Sequence, residues 1–385
     1  MFDHSFTETT TTGWFSRIGG AIKGIFIGMI MVVIAFPVLF WNEGRAVKTR
    51  KDLNQGSKEF VNITADKVDS ANEGKLVHLT GKATTTAELK DNDLNIKTSA
   101  LVMKRTVEMY QWKEKSDSKR KKKLGGSEQN TVTYSYDKVW EEGRIDSSKF
   151  KESNNYSNPQ IPIDSASWTA SPILIGDFTL SSSLVKNLQD FTPLEINKDT
   201  KLPKKIADRE LKEQNGMFYL ASDLQNPQLG DIRISYQAVQ PTTVSIISKQ
   251  KGNSFEGYKG DSGTTINMLI TGEHSGEAMF ESAQERNKMM TWILRAVGFA
   301  VMFFGFSFIF KPLAVVADVL PLAGTIVGVG TGIFAFLLAA PLSLITISIA
   351  WIFYRPLIGI PLLLLAGVGL FFLIKKIAAY KRSKA

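Results

Sequence analysis

The chain has 385 residues, a formal charge of +9, a sequence pI near 9.4 and no cysteine, which excludes disulfides and thiolate metal sites. Its 44% apolar content and mean hydropathy of -0.04 would suit a soluble protein if evenly spread. They are not: uncharged apolar runs crowd both ends and polar residues fill the middle, dividing the chain between lipid and water. In such a chain, positive charge reads first as topogenic or directed at anionic lipid, not as a nucleic-acid footprint.

Residues 1–23 form a Thr-rich tail followed by a stretch in which Trp14, Phe15, Ile18 and Ile22 share one helical face, as in a short helix lying in the headgroup layer or an extension of the first span. From Gly24 to Trp41 no charge occurs, and at about 1.5 Å per residue this run just crosses a hydrocarbon core of roughly 30 Å. It reads as a retained anchor, since its length and its Trp41-Asn42-Glu43-Gly44 exit do not suit a cleaved signal peptide.

Residues 42–290 change to short stretches rich in Val, Ile, Thr and Tyr, bounded by Gly, Asn, Asp and Pro. The best strands are Leu76–Thr80, Leu101–Trp112, Thr131–Trp140, Phe178–Leu180, Asp231–Val239, Thr243–Gln250 and Thr264–Ile270. Helical pattern is confined to Ser183–Leu188 and to Ser275–Thr291, the latter placed to run into the next span. The run Lys119–Lys123, followed by Gly125-Gly126, reads as a hairpin tip. Without interleaved aromatics it is a solvated loop sooner than a nucleic-acid or phosphate surface.

The second span is 291–310. Residues 311–329, with Asp318 and Pro321, read as an interfacial or re-entrant segment; 330–354 and 356–374 are the third and fourth spans, joined at Tyr354-Arg355-Pro356, and 375–385 is a basic tail. A rival division makes Leu320–Ala340 a full span and puts the termini on opposite sides. Setting the long loop aside, basic residues favour both termini in the cytoplasm and the large domain in a lumen or periplasm, although Arg45, Lys48, Arg50 and Lys51 pull the other way. The fold class is an α-helical transmembrane bundle of four spans with a large, mostly β (barrel or sandwich, α+β) extramembrane domain.

Gly20, Gly24 and Gly28, and again Gly324, Gly328 and Gly332, recur every four residues and so line one helix face each. Such faces serve homo-oligomerisation or packing within one chain. Chemistry is sparse: His4, His78 and His274 are the only imidazoles, and Glu273-His274-Ser275 is too contiguous for a catalytic relay. No metal-ligand spacing or phosphate loop is present, and apart from Arg295 at the interface of the second span only Asp318 brings an ionisable group near the apolar segments. The reading is therefore non-enzymatic, with no cofactor and no metal.

Ordered short motifs cover nearly the whole chain: Trp41-Asn42-Glu43-Gly44-Arg45-Ala46, Asn72-Glu73-Gly74-Lys75, Val107-Glu108-Met109-Tyr110-Gln111-Trp112, Tyr134-Ser135-Tyr136, Gly230-Asp231-Ile232-Arg233, Thr291-Trp292-Ile293-Leu294-Arg295 and Trp351-Ile352-Phe353-Tyr354-Arg355-Pro356. Together they resemble the transmembrane protein 43 (LUMA) family, with departures in the N-terminal tail, the Lys119–Lys123 hairpin and the Gly-rich segment. The resemblance implies four helices, a luminal domain between the first and second, and residence in endoplasmic reticulum and inner nuclear membrane in an animal. It also implies self-association and scaffolding, with emerin- and lamin-type partners in an animal only. The Cys-free, lysine-rich composition fits a bacterial member in an inner (plasma) membrane, where membrane lipids, other membrane proteins and like copies are the partners that transfer. A cation-channel role has been proposed in the family, so an oligomeric ion channel or lipid-handling transporter is the alternative. The motif acids and arginines, Glu43, Arg45, Glu73, Glu108 and Arg355, are expected to fix the domain against the membrane.

Overall fold

The computed structural model describes residues 5–196, 200–357 and 360–361. Three helices dominate: α1 (Trp14–Glu59), α2 (Gly276–Ala317) and α3 (Pro321–Tyr354), each long and apolar enough to cross a membrane. Three candidate spans thus stand among the described residues, and nearly all of the expected fourth, 356–374, and the whole tail 375–385 lie outside them.

Two expected boundaries are corrected. Residues 14–23 are no separate interfacial helix but the first turns of α1, which continues past Trp41 to Glu59 because the motif beyond it is itself helix-compatible. The segment 311–329 is divided: α2 ends at Ala317, a tight turn carries Asp318, and Pro321 opens α3, where its missing N–H and fixed φ suit the first helical turn. The third span consequently begins nine residues before Gly330 and runs unbroken through Pro341.

The domain is a sandwich of two mainly antiparallel sheets. The larger runs in the order β1 (Ser5–Thr12), β4 (Glu128–Glu142), β3 (Val102–Lys122), β7 (Ile232–Val239) and β6 (Met217–Leu220), with β5 (Ala166–Thr169) also on β3. In the other, β8 (Thr242–Lys251) lies between β2 (Leu76–Thr84) and β9 (Met268–Thr271). Val77 and Leu79 of β2, Val107 and Met109 of β3, Ile234 of β7 and Ile246 of β8 meet in one core between the sheets. The alternate residues Leu76 and Ile247 point the other way, onto Leu53 of α1 and Met279 and Phe280 of α2. Being covered on both faces, the first four residues of β2, Leu76, Val77, His78 and Leu79, are all buried instead of alternating. Leu76–Thr80, Thr131–Trp140 and Thr243–Gln250 fall within longer strands, Leu101–Trp112 begins one residue later and runs on to Lys122, and Asp231–Val239 begins one residue later. Phe178–Leu180 shortens to Phe178–Thr179, Thr264–Ile270 splits into Thr265–Ile266 and Met268–Thr271, and Ser183–Leu188 reduces to a single turn at Ser182–Val185.

Beyond Met109, where its pairing with β7 ends, β3 continues to Lys122 with β4 and β1 as a three-stranded ribbon. The extension measures about 40 Å at roughly 3.3 Å per residue, as does α1 from Trp14 to Trp41 at about 1.5 Å per residue. Its tip meets the far ends of the helices: Lys122 Nζ lies 2.6 Å from Asp318 Oδ1, Gly125 N donates to Val319 O at 3.0 Å, and Arg17 donates to both Gly126 O and Asp318. The basic run is therefore not a free hairpin tip. Lys119–Lys122 are strand residues paired with Thr131, Asn130, Gln129 and Glu128, and the turn is Lys123–Ser127.

Candidate functional site at the junction of helices and domain

Where α1 and α2 leave the apolar zone, residues from three helices build one polar cluster. On α1, Asn42, Glu43 and Arg45 lie within one turn; on α2, Asn287, Thr291 and Arg295 recur every four residues and so form one stripe. Glu43 is 0% exposed and accepts from Arg295 Nε and Nη2 at 2.6 and 2.9 Å and from Trp351 Nε1 of α3 at 2.8 Å. The Arg295 guanidinium lies 4.7 Å from the Trp292 ring centroid and 5.6 Å from that of Trp351. A buried charge is tolerable only when paired and hydrogen-bonded, and here both carboxylate oxygens are engaged.

In the same turn of α1, Arg45 donates to Asn287 Oδ1 at 3.1 Å, Thr291 Oγ1 at 3.1 Å and Asn42 Oδ1 at 3.3 Å, while Asn42 Nδ2 donates to Thr291 O at 3.0 Å. Arg45 Nε is buried without a partner. Gly44 permits close approach of α3, for a Cβ there would lie 2.6 Å from Tyr354 Cζ. Arg355 caps α3 through its N–H to Trp351 O, and Pro356, lacking an N–H, cannot extend that ladder. Asn42, Glu43, Gly44, Arg45, Trp292, Arg295, Tyr354 and Arg355, far apart in sequence, are thus brought to one level of the molecule. Asn287 and Trp351 were not singled out; the four-residue spacing of Asn287, Thr291 and Arg295 is the signal that finds the first.

A second group of motif residues organises the base of the ribbon. Glu108 receives Arg233 bidentately at 2.6 and 2.8 Å, and this hydrogen-bonded partner holds the guanidinium pKa above its ordinary value against the effect of burial. Tyr110 and Asp231 exchange backbone bonds through Gly230, whose φ of +88° suits glycine, and Asp231 accepts from Arg209 at 2.8 Å. Trp112 N donates to Asn158 Oδ1 at 2.8 Å. Glu73 Oε2 accepts from Gly252 N at 2.8 Å, and Gly74, at φ +76°, bonds Gln250 O.

Of the six aligned glycines, Gly28 sits in a close helix crossing, where an added Cβ would collide with Gly305 O of α2. Gly24 has Phe308 O at 4.0 Å, Gly328 has Ala314 Cβ at 3.9 Å, Gly324 is filled by the Asp318 side chain, and Gly20 and Gly332 face open space. His78 bonds Asn62 and the backbone oxygen of His274, whose own ring turns to Thr271 O, so the two imidazoles share a loop contact without a relay.

The sequence model of the family described as Transmembrane protein 43 matches residues 109–356. Transmembrane protein 43 of Rattus norvegicus is 32% identical over 365 residues, covering 91% of this chain and 89% of its own. That of Homo sapiens is 32% identical over 374 residues, covering 93% and 90%, and the Drosophila melanogaster homolog is 28% identical, covering 89% and 91%. No solved structure matches the fold. With a family match over well more than half the chain and relatives this similar end to end, the chain belongs to the transmembrane protein 43 family.

Proposed function

We propose that this membrane protein is a non-enzymatic scaffold that self-associates through its membrane region and organises membrane lipids and other membrane proteins around it. The observation that carries the reading is the ribbon of β1, β4 and β3. It stands beside the apolar helices over a length that matches the bilayer, yet it exposes Lys115, Asp117, Lys119, Arg120 and Lys121. Polar strands with open edges are tolerated at that depth only when covered by protein or facing water. Neighbouring copies supply such cover, and exposed faces such as those of Gly20 and Gly332 leave room for a helix to approach. The most apolar windows of the three helices are only 17% to 28% buried within the chain, so lipid or further helices must complete them.

In this reading the sandwich lies in a lumen or periplasm, and in an animal cell the membrane is endoplasmic reticulum and inner nuclear membrane with emerin- and lamin-type partners. Cross-linking in native membranes should trap dimers or larger species, and a ladder that stops at the monomer rejects self-association. A second reading, an oligomeric channel, rests on the same ribbon, since strands that are not covered by protein would border water. Purified chain in liposomes should then pass ions, and Gly328→Leu should change the flux; tight vesicles reject it.

A further inference from the structure

On the side of α1 facing the loop after Tyr258, the junction opens into a notch of about 380 Å³ whose lining includes Trp41, Arg45, Lys48, Lys259, Gly263 and Tyr354. Trp41, Arg45 and Lys48 recur at helical spacing, so they share one face of α1 with Asp52 one turn beyond. Three cations converge there. Lys48 and Lys259 are exposed and have no ion-pair partner among the described residues, and Arg45 is held rigid by Asn287, Asn42 and Thr291 with its Nε buried and unpaired. The nearby acids are already committed: Asp52 accepts the N–H groups of Ser262 and Thr264, each at 2.7 Å, and Glu43 is taken by Arg295. The notch is thus a basic concavity in which three cations outnumber the Asp52 carboxylate beside it, whose N–H partners satisfy it without cancelling its charge.

Its height in the molecule identifies the ligand. Trp41 ends the uncharged run of α1, and below it Ile34 and Ile30 lie on the same helix face, 50% and 58% exposed. A ligand that satisfied both halves would carry an anionic phosphate at the level of Lys48 and Lys259 and hydrocarbon along Trp41, Ile34 and Ile30. Tyr354 and Trp41 supply the amphipathic rings that favour this boundary. We propose that the notch binds the phosphate headgroup of an anionic membrane lipid, with Lys48 and Lys259 as its ionic contacts and Arg45 as the fixed donor behind them. The chemistry recognised is a phosphate ester, which a free phosphate anion shares in part.

The full chain in nanodiscs of phosphatidylcholine with a minor share of phosphatidylglycerol or phosphatidic acid, followed by native mass spectrometry, reports which lipid is retained. Wild type should keep the anionic lipid in preference to the zwitterionic one. The variant Lys48→Gln/Lys259→Gln should lose that preference by roughly tenfold at low salt, while Lys115→Gln/Lys119→Gln on the ribbon, with the same charge change, keeps it. Both altered pairs are exposed, and each single substitution should give an intermediate loss. Equal retention by wild type and Lys48→Gln/Lys259→Gln overturns the proposal. So does inorganic phosphate that binds lipid-free protein in detergent and displaces the retained lipid completely, because the source would then be the free anion.

Discussion

Glu43 is the residue whose environment is most sharply defined. Replacing it with alanine leaves Arg295 between two tryptophans without its counter-ion, and breaking a buried pair costs about 3 to 5 kcal/mol. Glu43→Ala should lower the thermal midpoint of the purified protein markedly, and Glu43→Gln/Arg295→Met should recover a large part of the loss, since no charge then remains unpaired. A double variant as unstable as Glu43→Ala would show that the loss comes from the missing contacts of the pair and not from an unpaired guanidinium. Asp52 allows a test by pH. Burial opposes its carboxylate, but the N–H groups of Ser262 and Thr264 more than offset this and hold its pKa below the ordinary 3.8. Its contribution is therefore complete above that value and lost as pH falls through the lower folded value. Asp52→Asn should flatten the acid limb of a stability profile. Tyr136 acts at the other extreme: burial and the Glu114 partner push its pKa up to about 12. Stability should decline from about pH 10 to 12, as the unfolded chain loses this proton first, and Tyr136→Phe should blunt that decline.

The helix elements depend on a few close crossings. A side chain at Gly28 would meet Gly305 O and Ile309, so Gly28→Leu should separate α1 from α2 and cost on the order of 1 to 3 kcal/mol. Gly332→Leu, whose Cβ would meet nothing within 4 Å, should leave the isolated chain unaffected. If it nevertheless abolishes cross-linked dimers, its face is the one that copies use. The ribbon is tested through its ladder. Thr9 pairs with Thr131, their hydroxyls 3.3 Å apart, and the chain has no native cysteine. Thr9→Cys/Thr131→Cys should oxidise to an intrachain disulfide seen as a mobility shift, with no other thiol in the chain to compete. Failure to close would detach β1 from β4.

At the scale of the molecule, the ribbon tip and the sandwich body lie at opposite ends of the helices. Leu124→Cys at the tip and Lys186→Cys on the body should therefore react with an impermeant maleimide from opposite sides of sealed vesicles. Labelling of both from one side would place the ribbon outside the bilayer and remove the main support for a covered polar surface. Much of this architecture was legible in sequence because it follows from local chemistry: uncharged runs of bilayer length, period-two strands, and turn residues between them. The helix ends were misjudged where local signals were neutral. Trp41 ends the uncharged run but not α1, and Gly-rich residues before Gly330 belong to α3 because Pro321 starts a helix as readily as Pro interrupts one. The motif residues were expected to be structural from the family resemblance, but their union was not legible. Glu43 and Arg295 are 252 positions apart, and Arg17, Lys122 and Asp318 come from three distant segments. The distribution of apolar residues along the sequence determined that the chain is divided between lipid and water, since that depends only on transfer of each segment. Which charges neutralise one another, and that a polar ribbon reaches back along the helices, was decided by tertiary structure, because pairing energies depend on distances that only the fold sets.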